Sequence, residues 1–287
     1  MAHLRSLASL ALASAAALPS VASATPSTVY WAPATTYIQP YLVPHITYDT
    51  YFGKGGIIST SDGSIGPIYP ITTGLTMGIL PFEKVNLEIG FDLLLPSDDP
   101  LLLNAKLGIP EDIFFAGSPS LAVGIFGVGT ADATEYNIIY GQIQKNLPWG
   151  GFISAGGYYG AGKEALWTGS DGNVNRAGFI GGLTSPDIVL NLPGLKKIVF
   201  IGDVQTGKNA FGAGGVGITL YFNDAIDLIT GPVFFFDSDI QPGKSSVLWT
   251  MQLDVDVQLL ASPPAAPPAA QPAPPAGPAS SMLNMPR

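Results

Sequence analysis

From Val247 to Gln258 the chain changes character at almost every step. Val247, Trp249, Met251, Leu253, Val255 and Val257 are apolar, and Thr250, Gln252, Asp254, Asp256 and Gln258 between them are polar. A period of two sends these sets to opposite faces of an extended strand. About ten residues is also the length of a tilted strand that crosses the hydrocarbon core of a bilayer. The pattern recurs upstream. Leu75, Met77 and Ile79 alternate with Gly74, Thr76 and Gly78. Val85, Leu87, Ile89, Phe91 and Leu93 alternate with Asn86, Glu88, Gly90 and Asp92. Leu101, Leu103, Ala105 and Leu107 alternate with Asn104, Lys106 and Gly108. Weaker versions are read at 36–50, 119–128, 135–145, 151–160, 176–184, 196–204, 212–222 and 226–236, and the strand that holds Leu75 to Ile79 is bounded at 67–80. Together they predict about twelve strands and no helix of 3.6 period. Pro232 is a misfit inside the eleventh strand, implying a bulge or a misplaced boundary there.

Repeated alternation must be reconciled with composition. Only 11% of residues are charged, although 47% are hydrophobic; a soluble domain carries about 25% charge. No apolar run reaches the ~18 residues of a membrane-spanning helix. Two architectures remain, a soluble sandwich buried on both faces and a membrane β-barrel with lipid on one face and a polar lumen on the other. The net charge of -9 and the lack of a basic stripe exclude nucleic acid as a partner. With 0 Cys, the chain has no disulfide, no thiol chemistry and no Cys-ligated metal.

The chain divides into four parts. Residues 1–24 read as a signal peptide: Arg5 precedes an apolar run from Leu7 to Leu18, and Ala22-Ser23-Ala24 supplies the small residues of a cleavage site. Residues 25–35 form a leader, 36–260 the β-structure, and 261–287 an Ala/Pro-rich disordered tail without core-forming residues. Connections alternate in length. Leu80 to Lys84, Ile109 to Ser118, Asn146 to Gly150 and Asn223-Asp224 are mostly short, whereas Gly53 to Gly66, Gly160 to Asn175, Val204 to Phe211 and Asp237 to Ser246 are mostly longer and polar; Pro96 to Pro100 is a short outer exception and Ser185 to Leu195 a long inner one. Short inner turns opposed to longer outer loops, with an even strand count, place both ends of the barrel on the periplasmic side.

Signal peptide, alternating strands, absence of Cys, short turns and Gly-rich loops together resemble the porin-like β-barrel proteins of the bacterial outer membrane. The resemblance spans roughly residues 36 to 260 and rests on pattern. It implies an all-β transmembrane antiparallel barrel in the outer membrane of a Gram-negative cell, surrounded by lipid. The Ala-Pro stretch also resembles the hinge after the barrel of outer-membrane protein A, although no folded domain follows. Barrel proteins of this kind usually end on an aromatic residue, whereas here the last strand runs out at Val257-Gln258-Leu259-Leu260.

Short motifs for other chemistry fail on context. Gly212-Ala213-Gly214-Gly215-Val216-Gly217 matches a dinucleotide fingerprint, but strand rather than helix follows it, so its glycines relieve crowding on an inward face. Gly202 to Lys208 and Gly157 to Lys163 imitate phosphate loops with Asn209 and Glu164 where Ser or Thr belongs. Neither nucleotide nor cofactor is expected. His45, on a Gln39/Tyr41/His45/Thr47 face, has no nucleophile signature and reads as a satisfied lumen residue, so no enzyme is expected.

Parity sends Glu88, Asp92, Lys106, Asp227, Asp254 and Asp256 inward as candidate lumen-lining residues. They read either as a lined pathway or as an internal salt-bridge network of a plugged barrel, with Lys106 bridging Glu88 and Asp92. Asp227, Asp254 and Asp256 crowd one hairpin, with only Lys106, Arg176 and Lys197 as basic partners. The expected function is passage of small solutes, favouring cations. The alternative is a non-conducting barrel that binds the cell wall or a periplasmic protein through its loops or tail.

Overall fold

The structure is a computed structural model that describes residues 28–259 apart from 54–57, 60–65, 68–70, 96–99, 130, 132 and 133. The signal-peptide and tail assignments lie outside the described residues. Twelve strands ring the molecule: β1 Pro44–Phe52, β2 Ile71–Gly78, β3 Asn86–Leu95, β4 Leu101–Ile109, β5 Ser120–Val128, β6 Ile138–Asn146, β7 Phe152–Gly160, β8 Ala177–Thr184, β9 Leu195–Gln205, β10 Ala213–Tyr221, β11 Ile226–Phe235 and β12 Val247–Asp256. Each pairs antiparallel with its sequence neighbours, and β12 pairs with β1 from His45↔Asp256 to Phe52↔Trp249. That last ladder closes the sheet and removes its edges.

Parity along the strands separates lipid from lumen. Outward residues are apolar: Ile89, Leu103, Val123, Ile139, Ile153, Phe179, Phe200, Val216 and Trp249 are all exposed. Inward residues include buried Thr76, Glu88, Lys106, Gln142, Gln144, Asp203, Thr219 and Gln252. A closed ladder with an apolar outer belt satisfies every condition hydrocarbon imposes on a backbone. The architecture is that of a bacterial outer-membrane barrel.

The stretch from Ser185 to Leu195 is a continuation of the β8–β9 hairpin, in which Ile188–Leu192 pairs with β9 across register shifts. Pro232 needs neither a bulge nor a new boundary. Gly215↔Val233 and Ile218↔Thr230 keep one register on either side of it, and the two pairings between them lapse where proline offers no N–H.

The first strand begins later than expected. It starts at Pro44, not at 36, and residues 28–43 run inside the barrel as a strap. Val29, Tyr30, Ala32, Ala34, Thr35, Thr36 and Gln39 are buried there. Proline explains part of this, since Pro33, Pro40 and Pro44 supply no N–H to a ladder. Leu42 adopts a positive φ of 55° just before the strand begins. The strap's polar backbone is satisfied by wall side chains instead. Gln142 Nε2 donates to Pro33 O and Thr35 O, Ser154 Oγ donates to Ala34 O, and Gln252 Nε2 donates to Tyr30 O. Its apolar residues join Val199, Ile201, Ala213, Ile229, Val233 and Leu248 in a core inside the barrel.

Candidate functional site in the barrel lumen

Asp203 anchors the strap. One of its oxygens accepts from the amides of Tyr30, Trp31 and Ala32 at 2.9, 2.9 and 2.8 Å. Converging amides of this kind stabilise a carboxylate in a dry setting. Beside it the Tyr30 ring lies flat on glycine: a Cβ on Gly215 would sit 2.2 Å from the ring, and one on Gly217 2.8 Å. Crowding on an inward face is therefore what these glycines relieve, and Tyr30 is what crowds them. Trp31 packs edge-on against Tyr51 and Phe235 and donates from Nε1 to Phe211 O at 2.8 Å.

The six candidate residues fall into three groups. Glu88 and Lys106 are directly paired across β3 and β4, with Lys106 Nζ 3.1 Å from Glu88 Oε1. The other Glu88 oxygen accepts from Gln39 N at 2.7 Å, so this pair also holds the strap. Asp92 takes a hydrogen bond of 2.5 Å from Asn104, whose own oxygen accepts from Gly127 N at 2.8 Å. Lys106 thus answers Glu88, while Asn104 answers Asp92.

Asp227, Asp254 and Asp256 form the third group. Asp227 stands directly across from Asp254, with Asp256 diagonal to it. Their basic partner is His45, reached through the closing ladder: Nδ1 lies 2.8 Å from Asp256 and Nε2 3.4 Å from Asp254. The expectation that only Lys106, Arg176 or Lys197 could serve is corrected. Lys197 instead pairs with Asp187 at 2.9 Å, and Arg176 with Glu164 at 3.6 Å. Asp227 is 1% exposed, and neither of its oxygens has a hydrogen-bond partner among the described residues.

The strap leaves two spaces. Toward the short-turn end, a cavity of about 370 Å³ is lined by Thr28, Tyr37, Phe152, Asp187, Lys197 and Tyr221 among others. Toward the long-loop end, one of about 420 Å³ is bounded by Trp31, Tyr51, Phe126, Tyr136 and Phe211, with Asp49, Asp92 and Asp254 in its wall. No Lys, Arg or His among the described residues lines this second space. Loops close over part of it. Trp167 is fully buried with Ile138, Tyr158 and Phe211, and Asp237 accepts from Ser170 N at 2.8 Å. That backbone hydrogen bond holds the Asp237 carboxyl below its usual range.

Asp49 and Asp203 were not singled out from the sequence. Asp49 shares the inward parity of His45 and Thr47, a usable signal. Asp203 follows inward Val199 and Ile201, which hide its face.

No family model matches the chain, and no curated protein matches it. Solved structures with a similar arrangement are outer-membrane proteins. An outer membrane channel from Pseudomonas putida F1 is 12% identical, with a TM-score of 0.40 over 79% of this chain and 99% of that one. Outer membrane phospholipase A from Escherichia coli is 12% identical, with a TM-score of 0.42 over 76% and 94%. A Salmonella typhi outer membrane phospholipase dimer with bound calcium is 13% identical, with a TM-score of 0.42 over 83% and 98%. The exclusion of an enzyme is corrected by these last two. Outer membrane phospholipases stand among the similar structures, so the expectation of no enzyme does not stand.

Proposed function

We propose that this barrel passes small solutes across the outer membrane, favouring cations, with residues 28–43 as a displaceable closure. The observation that carries the reading is the way the strap is held. Side-chain hydrogen bonds with Gln142, Gln144, Asp203 and Gln252 retain residues 28–40 between two cavities, and a single backbone bridge from Tyr41 and Leu42 to Gly78 ties the far end to the wall. A closure held by side chains over residues 28–40 can leave without unzipping the β-ladder, which runs through all twelve strands. Cation preference is supported by the carboxylates of the long-loop cavity and by His45 as their one nearby basic partner among the described residues.

A second reading is favoured by the same strap. Its burial of Val29, Tyr30, Ala32 and Ala34 fills the lumen as a core would, which suits a non-conducting barrel. In that case partners are met through loops or through the tail, toward the cell wall or a periplasmic protein. Planar-bilayer recording decides between the two. Unit conductance in the full chain, or on removal of residues 28–43 from a barrel that still assembles, supports passage. Silence in both supports the structural barrel.

A further inference from the structure

Resting on the reading of the lumen as a solute path, we infer that the long-loop cavity is a binding site for a small organic ammonium ion with an apolar body. About 420 Å³ falls within the range that holds a small ligand. Three carboxylates, Asp49, Asp92 and Asp254, reach its wall from three different strands. Among the described residues, the hydrogen bond to Asp92 comes from the neutral amide of Asn104. Asp254 shares His45 with Asp256, so one imidazole faces two carboxylates. Directly opposite Asp254 in register is Asp227, buried to 1% exposure, with neither oxygen hydrogen-bonded among the described residues. Asp227 lies outside the cavity's lining, so the acidic wall is made by Asp49, Asp92 and Asp254.

The rest of the wall selects the kind of cation. Among the described residues, no group of three or more His, Asp or Glu is arranged to hold a metal ion. Trp31, Tyr51, Phe126, Tyr136 and Phe211 instead offer apolar surface and aromatic faces. Aromatic faces attract a cation and bury a hydrocarbon body together, which a hydrated metal ion does not exploit. An ammonium group on a short aromatic or aliphatic frame meets both halves of the site.

The test is calorimetric titration of the folded full-length barrel in detergent with phenethylammonium, 2-phenylethanol and phenylacetate. These probes share a frame and differ in charge. One-site binding of phenethylammonium, about tenfold tighter than the alcohol, is expected from a charge-assisted contact. Phenylacetate is expected to be excluded. Asp49→Asn/Asp92→Asn weakens the amine by about tenfold or more and leaves the alcohol unchanged; the single variants report the same direction where the pair does not assemble. Equal binding of amine and alcohol, wild-type affinity in the folded variants, no binding at all, or tighter binding of calcium ion than of the amine overturns the assignment. Bilayer recording on the same protein is independent of it: amine binding with silent bilayers removes the passage reading and keeps the site.

Discussion

His45 of β1 stands directly across from Asp256 of β12, its Nδ1 2.8 Å from the partner's carboxylate, at the seam where the barrel closes. The same imidazole lies 3.4 Å from Asp254, so one side chain of the first strand reaches two carboxylates of the last. Truncating one member of a buried pair costs about 3–5 kcal/mol, because it strands the other. His45→Ala is expected to lower the temperature at which the folded band converts on unboiled gels. An unchanged conversion temperature would show that the seam does not depend on this residue.

Ile89 and Glu88 are adjacent in sequence and separated by the barrel wall. Ile89 is 46% exposed on the lipid face, and Glu88 is buried inside. Ile89→Arg places an unpaired charge in hydrocarbon at about 2–4 kcal/mol and should block assembly. Asn86→Arg, on the inward parity near the short-turn end, should be tolerated. Recovery of folded barrel in outer-membrane fractions is the measurement, and equal damage from both would refute the assigned faces.

Asp203 holds three strap amides through one oxygen. Asp203→Ala leaves those N–H groups buried and unpaired, at about 1–3 kcal/mol each. The strap should then become accessible to added protease while the wall stays folded. If the protein passes solutes, brief openings should also appear in bilayer records. Protection equal to wild type would mean that the apolar strap core suffices.

Gly215 is the counterpart test on the packing side. A methyl group there meets the Tyr30 ring at 2.2 Å, so Gly215→Ala must push the strap or bend β10. Overpacking of this sort costs about 1–3 kcal/mol. Tyr30→Ala in the same chain removes the clash, and the two effects should be strongly non-additive in a double-mutant cycle. Simple additivity would separate Gly215 from the strap.

The loop cap carries a pH prediction. The Asp237 carboxyl is held below its usual value by the Ser170 amide. A depressed folded value means that the contribution is complete above the unfolded carboxylate range, near pH 4, and is lost as pH falls through the lower folded value. Protection of the Ser170 amide, taken relative to the intrinsic exchange rate at each pH, should persist at pH 5 and fall only in stronger acid. Asp237→Asn should weaken that protection at neutral pH; loss of protection already between pH 6 and 5 would contradict the assignment.

The wall of this protein was open to sequence reading because lipid imposes apolar residues at every second position along most strands. β12 and β3 alternate cleanly, and their parity placed Ile89 outside and Asp254 inside. The strap was hidden by the same rule. An extended segment threaded through a lumen also alternates, so Gln39, Tyr41 and His45 read as one strand although the first two precede it. His45 was missed as a partner for a different reason. Its neighbours Asp254 and Asp256 lie more than two hundred positions away, and only ring closure joins them. Asp203 escaped because the inward face of β9 begins with Val199 and Ile201 and turns polar only toward its end.

A strap enclosed by a sealed ring imposes an order of events at birth. Once β1 and β12 have zipped, residues 28–43 can reach their places only by being pushed end-first into a narrow, partly filled bore. If the strap settles while the sheet is still an open, curling ribbon, Gln142, Gln144 and Asp203 can collect it from the side, and the seam at His45 shuts behind it. The N-terminal segment would then act as an internal form around which the sheet bends, so that its sequence governs how fast the cylinder is made as well as how tightly it is filled.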